Sequence, residues 1–405
     1  MKSNRLLAGA GALAIFGAAA AAFAQAGGGT ATYWMTADTA SGMSAMAAGG
    51  SAGSMMNALR GRGDNHVRTL TLQLGSSGRA SGAPTAEHLP PVGLQAGASL
   101  PLVTPVAAPR TPASTTLPPN MQRPQGRMLI YWGCGERAGP GQPVVVDFAS
   151  MSAGKMPPAF ANSNFKPVTP PSAASHATYG EWPNQRSQTK VPARGSLVGE
   201  HVVRGNYSPE IRFALAASQD FLAPVALTSQ SAVPSGAVPL TWRPVPGARA
   251  WFASTMGAGQ NGDMIMWSST EIQSMAWALA YGHVSEAEIQ RLVAQRILLL
   301  STADRCTVPS EVARAAPQSM LSLIALGGES NISQPRPAGA ARSWKPVWTV
   351  KLLTKSTYAG LLGMDMAEMM SGRDRDDGSQ TEDDEPRKKK KLNPFKKGLE
   401  RVIGN

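Results

Sequence analysis

Serine and lysine stand three positions apart twice in this chain, as Ser152-Ala153-Gly154-Lys155 and as Ser187-Gln188-Thr189-Lys190. On a helix that spacing puts an amine one turn from a hydroxyl, where it acts as the base for a serine nucleophile. Gly154 and Pro157-Pro158 oppose a helix at the first copy. Neither copy is accompanied by a Ser-Asp-Asn or Lys-Thr-Gly partner. A phosphate-cradling loop ending in Gly-Lys-Ser or Gly-Lys-Thr is missing, and so is a His-Glu-x-x-His zinc helix. The histidines His66, His88, His176, His201 and His283 are too far apart in sequence to share one helix face. Met35, Met43, Met46, Met55 and Met56 offer thioethers that suit Cu(I), but without His or Cys among them they read as an apolar contact face. The carboxylates near Asp374 and Asp383 lack calcium-loop spacing. These residues therefore assign no catalytic group, cofactor or metal, and the reading leans away from an enzyme.

Cys134 and Cys306 are the two cysteines. Their chemistry depends on compartment. Lys2 and Arg5 precede an Ala/Leu/Gly run that ends in Ala22-Phe23-Ala24, which reads as a secretory signal peptide over 1–24. Export makes a Cys134–Cys306 bridge admissible, with two separate buried thiols as the alternative. It also changes the meaning of a net charge of +12. An exported basic protein meets envelope protein, polysaccharide or anionic membrane surfaces, and no nucleic-acid partner is expected. No mature transmembrane span is expected either.

The elements that must position any site are mostly strands. Gly 42 and Pro 32, with 6% aromatic residues, point to long loops and several small cores rather than one large one. After the leader, 25–65 is a low-complexity Gly/Ala/Ser/Met segment containing Arg62-Gly63-Asp64, an integrin-like triplet that suits a loop equally well. Residues 66–150 read as a β-rich module with an inserted Pro-rich loop at 79–125. Val67–Leu74 alternates with three leucines on one face, and Met128–Trp132 and Val144–Phe148 are expected to pair with it. Residues 151–198 read as a linker. Residues 199–358 read as a second β-rich domain with helices. There His201–Arg204 and Ile211–Leu215 flank a turn whose Asn206-Tyr207-Ser208 also fits a glycosylation acceptor. Glu271–Ala280 is a short helix candidate. Ser285 with Glu288 forms a capping box for a helix to about Leu300. Trp344–Leu353 reads as a final strand and Tyr358–Met370 as a helix.

The remainder of 359–405 is a charged disordered tail, in which acidic residues run directly into Lys388, Lys389, Lys390 and Lys391. Phe395 and Leu399 lie beside Lys396, Lys397 and Arg401, so the last residues could form a basic amphipathic helix on an anionic membrane surface.

Val238–Ala248 leads through Pro244-Val245-Pro246-Gly247 into Ala250-Trp251-Phe252. This stretch within 236–268 resembles the second and third strands of fibronectin-type-III or immunoglobulin-like modules. The resemblance implies a core tryptophan at Trp242, an aromatic partner at Trp251, and a binding or spacer role rather than a reaction. Read from the residues alone, Leu240–Trp242, the strand at Trp251 and Met264–Trp267 form an antiparallel meander. The whole chain reads as an α+β protein, mainly β with a helical C-terminal part. Its expected role is binding, assembly or scaffolding in the envelope. The alternative is a periplasmic hydrolase or carbohydrate-active protein with scattered site residues.

Overall fold

A computed structural model describes residues 29–51, 65–105, 126–148, 165–259, 261–274, 276, 279 and 282–364. The strands are β1 (Ala31–Gly42), β2 (His66–Ser76), β3 (Ala86–Leu89), β4 (Leu100–Leu102), β5 (Arg127–Trp132), β6 (Val144–Asp147), β7 (Thr178–Trp182), β8 (Gly199–Gly205), β9 (Ile211–Leu215), β10 (Leu227–Ser229), β11 (Val238–Trp242), β12 (Ala248–Ala258), β13 (Met264–Ser268), β14 (Leu299–Leu300), β15 (Arg305–Val308), β16 (Met320–Ser333) and β17 (Trp348–Leu361). The helices are α1 (Met43–Ala47), α2 (Glu286–Ala294) and α3 (Ser310–Ala315). The class is α+β with predominantly antiparallel sheets, and two of the short helices follow residue 285.

One large sheet runs β6-β5-β13-β12-β16-β17-β1-β2-β7, with β14 paired to β12. Most neighbours are antiparallel. Two pairs are parallel: β1 with β17, and β5 with β13. Strand alternation gives this sheet two faces. On one face Tyr33, Met35, Leu72, Leu74, Val350 and Leu352 form a core with the four-stranded sheet β4-β3-β8-β9. Further along the same face, Trp251, Leu321 and Leu323 pack with Leu240, Trp242 and Val308 of the three-stranded sheet β10-β11-β15. On the opposite face, Phe252, Ile324 and Leu326 meet Ile289 and Leu292 of α2.

The scarce aromatics are concentrated in these cores. Trp182, Trp251 and Trp267 are fully buried, and each indole N–H has a partner: Ser187 Oγ at 3.0 Å, Ser301 O at 3.2 Å and Gly133 O at 2.9 Å. That satisfies the one polar atom whose burial would otherwise be costly.

A bulge in β16 decides which residues reach which face. Leu326 pairs with Lys355, but Glu329 pairs with Leu353, so one extra residue enters β16. Parity is reversed across it. Ile324 and Leu326 precede it on the α2 side, and Glu329 follows it on that same side. Gly327 is required there, because a Cβ would collide with the Thr354 side chain and backbone.

Several expectations need correction. The low-complexity segment 25–65 contains β1, an interior strand of the large sheet. Its Ala31, Tyr33, Met35 and Ala37 are buried in strict alternation. The inserted loop 79–125 holds β3 and β4, and Pro101 is tolerated because β4 is an edge strand. The linker 151–198 holds β7, which closes the far edge of the large sheet. Met128–Trp132 pairs with Val144–Asp147 on one side and with β13 on the other, and neither pairs with the strand at Val67–Leu74, whose neighbours are β1 and β7. The meander is broken as well. β12 and β13 pair in the large sheet, whereas β11 lies in the three-stranded sheet. Strands from 66–150 and from 199–358 share one sheet, and the described residues through Gly363 make one compact unit. Tyr358–Leu361 continues β17 instead of starting a helix.

Local signals fared better. Ser285 caps α2, its side chain accepting from the Glu288 amide at 3.2 Å, but the expected box is not closed, because the Glu288 carboxylate accepts from the Lys166 amide and Arg291 instead. That helix ends at Ala294, short of Leu300, because Leu299–Leu300 joins the sheet as β14. Glu271–Ala280 falls partly outside the described residues, as do the leader, Arg62-Gly63-Asp64, Ser152–Lys155 and the tail beyond Met364.

Candidate functional site

The α2-side face of the large sheet carries charge where a sheet interior is normally apolar. Three cross-strand rows cross β2, β1, β17 and β16: Gln73–Trp34–Lys351–Asn331, then Thr71–Thr36–Leu353–Glu329, then Thr69–Asp38–Lys355–Leu326. Successive rows are about 6.6 Å apart, two strand residues. The sequence alternation of β1 and β17 places these side chains opposite the apolar core, and the β16 bulge swings Glu329 and Asn331 into the same field.

At one end of the strip Lys351 is ion-paired with Glu329, and its ammonium sits 5.1 Å from the Trp34 ring centroid. Glu329 also accepts from the Glu286 amide at 3.0 Å, at the start of α2, and from Asn331 at 3.0 Å. Burial pushes the Glu329 carboxyl up. The Lys351, Asn331 and Glu286 hydrogen bonds outweigh it, so its pKa lies below the ordinary value. At the other end His283 Nε2 donates to Asp38 Oδ1 at 2.8 Å. Lys355, only 6% exposed, donates to Gly282 O at 3.2 Å and lies opposite Asp38 in the parallel ladder. Burial raises the Asp38 carboxyl, but His283 and then Lys355 bring it below its usual range. Between the two ends, Thr36 is half-buried and Thr71 exposed.

Glu329 and Lys355 are buried and hold the strip in place, so what it presents at the surface is Thr71 with the partly exposed Trp34, Gln73, Lys351 and Asp38. It suits recognition of a polar partner across a broad area more than enclosure of a small molecule. A cleft of about 340 Å³ lies elsewhere, lined by Arg79, Thr104, His176 and Thr178 among others.

Cys134 and Cys306 are joined in a disulfide with Cα atoms 5.0 Å apart. It ties the turn after β5 to β15, and so ties the large sheet to the three-stranded one. Lys388, Lys389, Lys390, Lys391, Phe395, Lys396, Lys397, Leu399 and Arg401 lie outside the described residues. The second Ser-x-x-Lys copy is not a dyad. Ser187 Oγ accepts from Trp182 Nε1, and Lys190 donates to Gly49 O. Asn206 is tied down by Ala83 O and the Thr85 amide, and Tyr207 and Ser208 are buried. Met35 is a core residue, in line with packing rather than metal. Among the described residues, no group of three His, Cys, Asp or Glu side chains is placed to hold a metal ion. No described helix is long and apolar enough to cross a membrane.

The charged strip had no sequence signal beyond polar alternation. Its partners come from β1, β16, β17 and the turn before α2, which no local pattern links. Gly49-Gly50-Ser51-Ala52-Gly53 has Gly-x-Ser-x-Gly spacing. Ser51 there is exposed and follows α1 rather than emerging from a sheet strand, so it lacks the context of a nucleophile elbow. No protein-family model matches this chain, and neither the curated proteins nor the solved structures contain a match to it.

Proposed function

We propose that this chain is an exported binding protein that engages an envelope partner through the charged strip on the α2-side face of its large sheet. The observation that carries the reading is the strip itself. Lys351, Glu329, Asp38, Lys355 and His283 are held in an ordered ladder around half-buried Trp34 and Thr36. Keeping charges in the middle of a sheet costs desolvation, which a purely structural sheet would avoid with apolar residues. The Cys134–Cys306 bridge supports export, since such bonds persist in oxidising compartments.

A second reading, a hydrolase, has one observation in its favour: the carboxylate-oriented imidazole of Asp38 and His283. It lacks a hydroxyl or thiol hydrogen-bonded to that imidazole among the described residues. Capture of partners from native envelope extract distinguishes the two. The binding reading expects a defined partner that is retained by the wild type and lost in a Trp34→Ala/Thr71→Arg variant of unchanged circular dichroism. Equal capture by both proteins sinks it.

A further inference from the structure

Tyr33, His88 and His201 come from β1, β3 and β8, and all three are completely buried between the large sheet and the four-stranded sheet. They form one hydrogen-bonded chain. Tyr33 Oη bonds His88 Nδ1, His88 Nε2 meets His201 Nδ1 at 2.9 Å, and His201 Nε2 meets Leu197 O at 2.7 Å. The His201 ring also stacks on Phe213 of β9, with centroids 4.8 Å apart.

The direction of every proton in the chain follows from its end. A carbonyl only accepts, so His201 Nε2 carries a hydrogen. In the neutral ring Nδ1 is then an acceptor, so His88 Nε2–H donates to it. His88 Nδ1 in turn accepts from the Tyr33 hydroxyl. Three neutral groups satisfy one another with no spare donor. An added proton reverses the chain: His201 Nδ1–H then donates to His88 Nε2 and His88 Nδ1–H to Tyr33 Oη, which takes from the Tyr33 hydroxyl its present acceptor.

Among the described residues, no carboxylate acts on either imidazole. Tyr207, buried after β8, is the other titratable group in this core, and β2, β4 and β9 contribute Leu72, Leu74, Leu100 and Phe213. The charged residues of these elements are occupied elsewhere. Glu87 pairs with Arg204, Glu210 with Arg212, and Asp220 binds Ser196 Oγ and the Leu197 amide. Glu200 is exposed, and Glu181 binds Tyr179 on the far side of the large sheet. Burial accordingly holds both imidazoles below their ordinary value, with His201 adding to the effect at His88, and pushes the Tyr33 hydroxyl up.

We infer that the Tyr33–His88–His201 chain is an acid-sensitive latch that holds the four-stranded sheet on the large sheet and lets it go when both imidazoles take up protons.

The sign follows from linkage. Burial disfavours a proton on either ring in the latched state, whereas the opened state binds one on each as pH falls through 6.5, the ordinary histidine value. The opening constant therefore rises as pH falls, by about a thousandfold between pH 7.5 and pH 5.0 for two rings that stay neutral in the latched state throughout that window. That window stays above the ordinary range of carboxylates, so they contribute little.

The test is hydrogen exchange on the full chain, expressed as protection relative to intrinsic rates. Protection in β3, β8 and β9 should fall about a thousandfold across that window while β12 and β16 keep theirs. His88→Gln/His201→Gln supplies a donor and an acceptor at each position but cannot titrate, and should abolish the dependence. Nitrogen-15 spectra of the wild type provide a reading that needs no variant: both rings neutral and Nε2-protonated while latched. Either ring titrating near 6.5 without loss of protection overturns the inference. So does a fall of less than tenfold, or an equal fall in the double variant.

Discussion

Removing the Cys134–Cys306 bridge should cost about 5 kcal/mol of stability. The bond closes a loop with a sequence separation of 172 residues. In the chain-entropy account, closing so long a loop lowers the entropy of the unfolded chain by an amount equivalent to about 5 kcal/mol. The native ends should stay in place without the sulfurs. Gly135 N donates to Thr307 O at 3.0 Å, Ser310 N to Glu136 O at 3.1 Å, and Ala138 N to Glu311 Oε2 at 3.0 Å. The loss therefore acts on the unfolded state, and the folded core should be preserved. Urea unfolding of wild type and of Cys134→Ala/Cys306→Ala, followed by tryptophan fluorescence, measures it. The unfolding constant should rise roughly 4,000-fold at unchanged native spectrum. A change under tenfold would refute the reasoning, and so would a native spectrum already altered in the variant.

Two further perturbations address the strip. Gly327→Ala should destabilise by about 2–3 kcal/mol, because its methyl would enter the space of Thr354, and should shift the Glu329 side of the strip; Gly93→Ala, with only ordinary contacts, should be near neutral in the same thermal melt. The Asp38 carboxyl, whose pKa lies below 3.8 in the fold, contributes stability that is present above that value and lost as pH falls through the lower folded value. Asp38→Asn should therefore weaken the protein by about 2 kcal/mol at neutral pH. It should also flatten its acid unfolding curve, and an unchanged curve would show that His283 and Lys355 do not depend on Asp38.

Local chemistry was readable from the residues, and long-range pairing was not. Alternation identified β2, the turn at Asn206-Tyr207-Ser208 set off β8 and β9, and the Ser285 cap identified α2, because each depends on neighbours within a few residues. β1 was hidden by its small residues. Tyr33 and Met35 supply its buried bulk, and ladders to β2 and β17 hold both of its edges. The parallel β1–β17 pair joins residues more than 300 positions apart, and no spacing signals it. The same distance hid both polar constellations. Asp38 and His283, like His88 and His201, are ordinary strand or turn residues until the sheets bring them together. Prolines misled in the opposite direction. They marked 79–125 as loop, although an edge strand has no use for the amide that Pro101 lacks.

Site-directed photo-crosslinking in native envelope tests the binding face most directly. A crosslinking residue at Thr71 stands exposed within the strip, and one at Val92, 95% exposed, serves as the reference outside it. The account predicts a discrete adduct from Thr71 that disappears when Trp34→Ala is added, and none from Val92. Adducts of equal yield from both positions, or from Val92 alone, would contradict it.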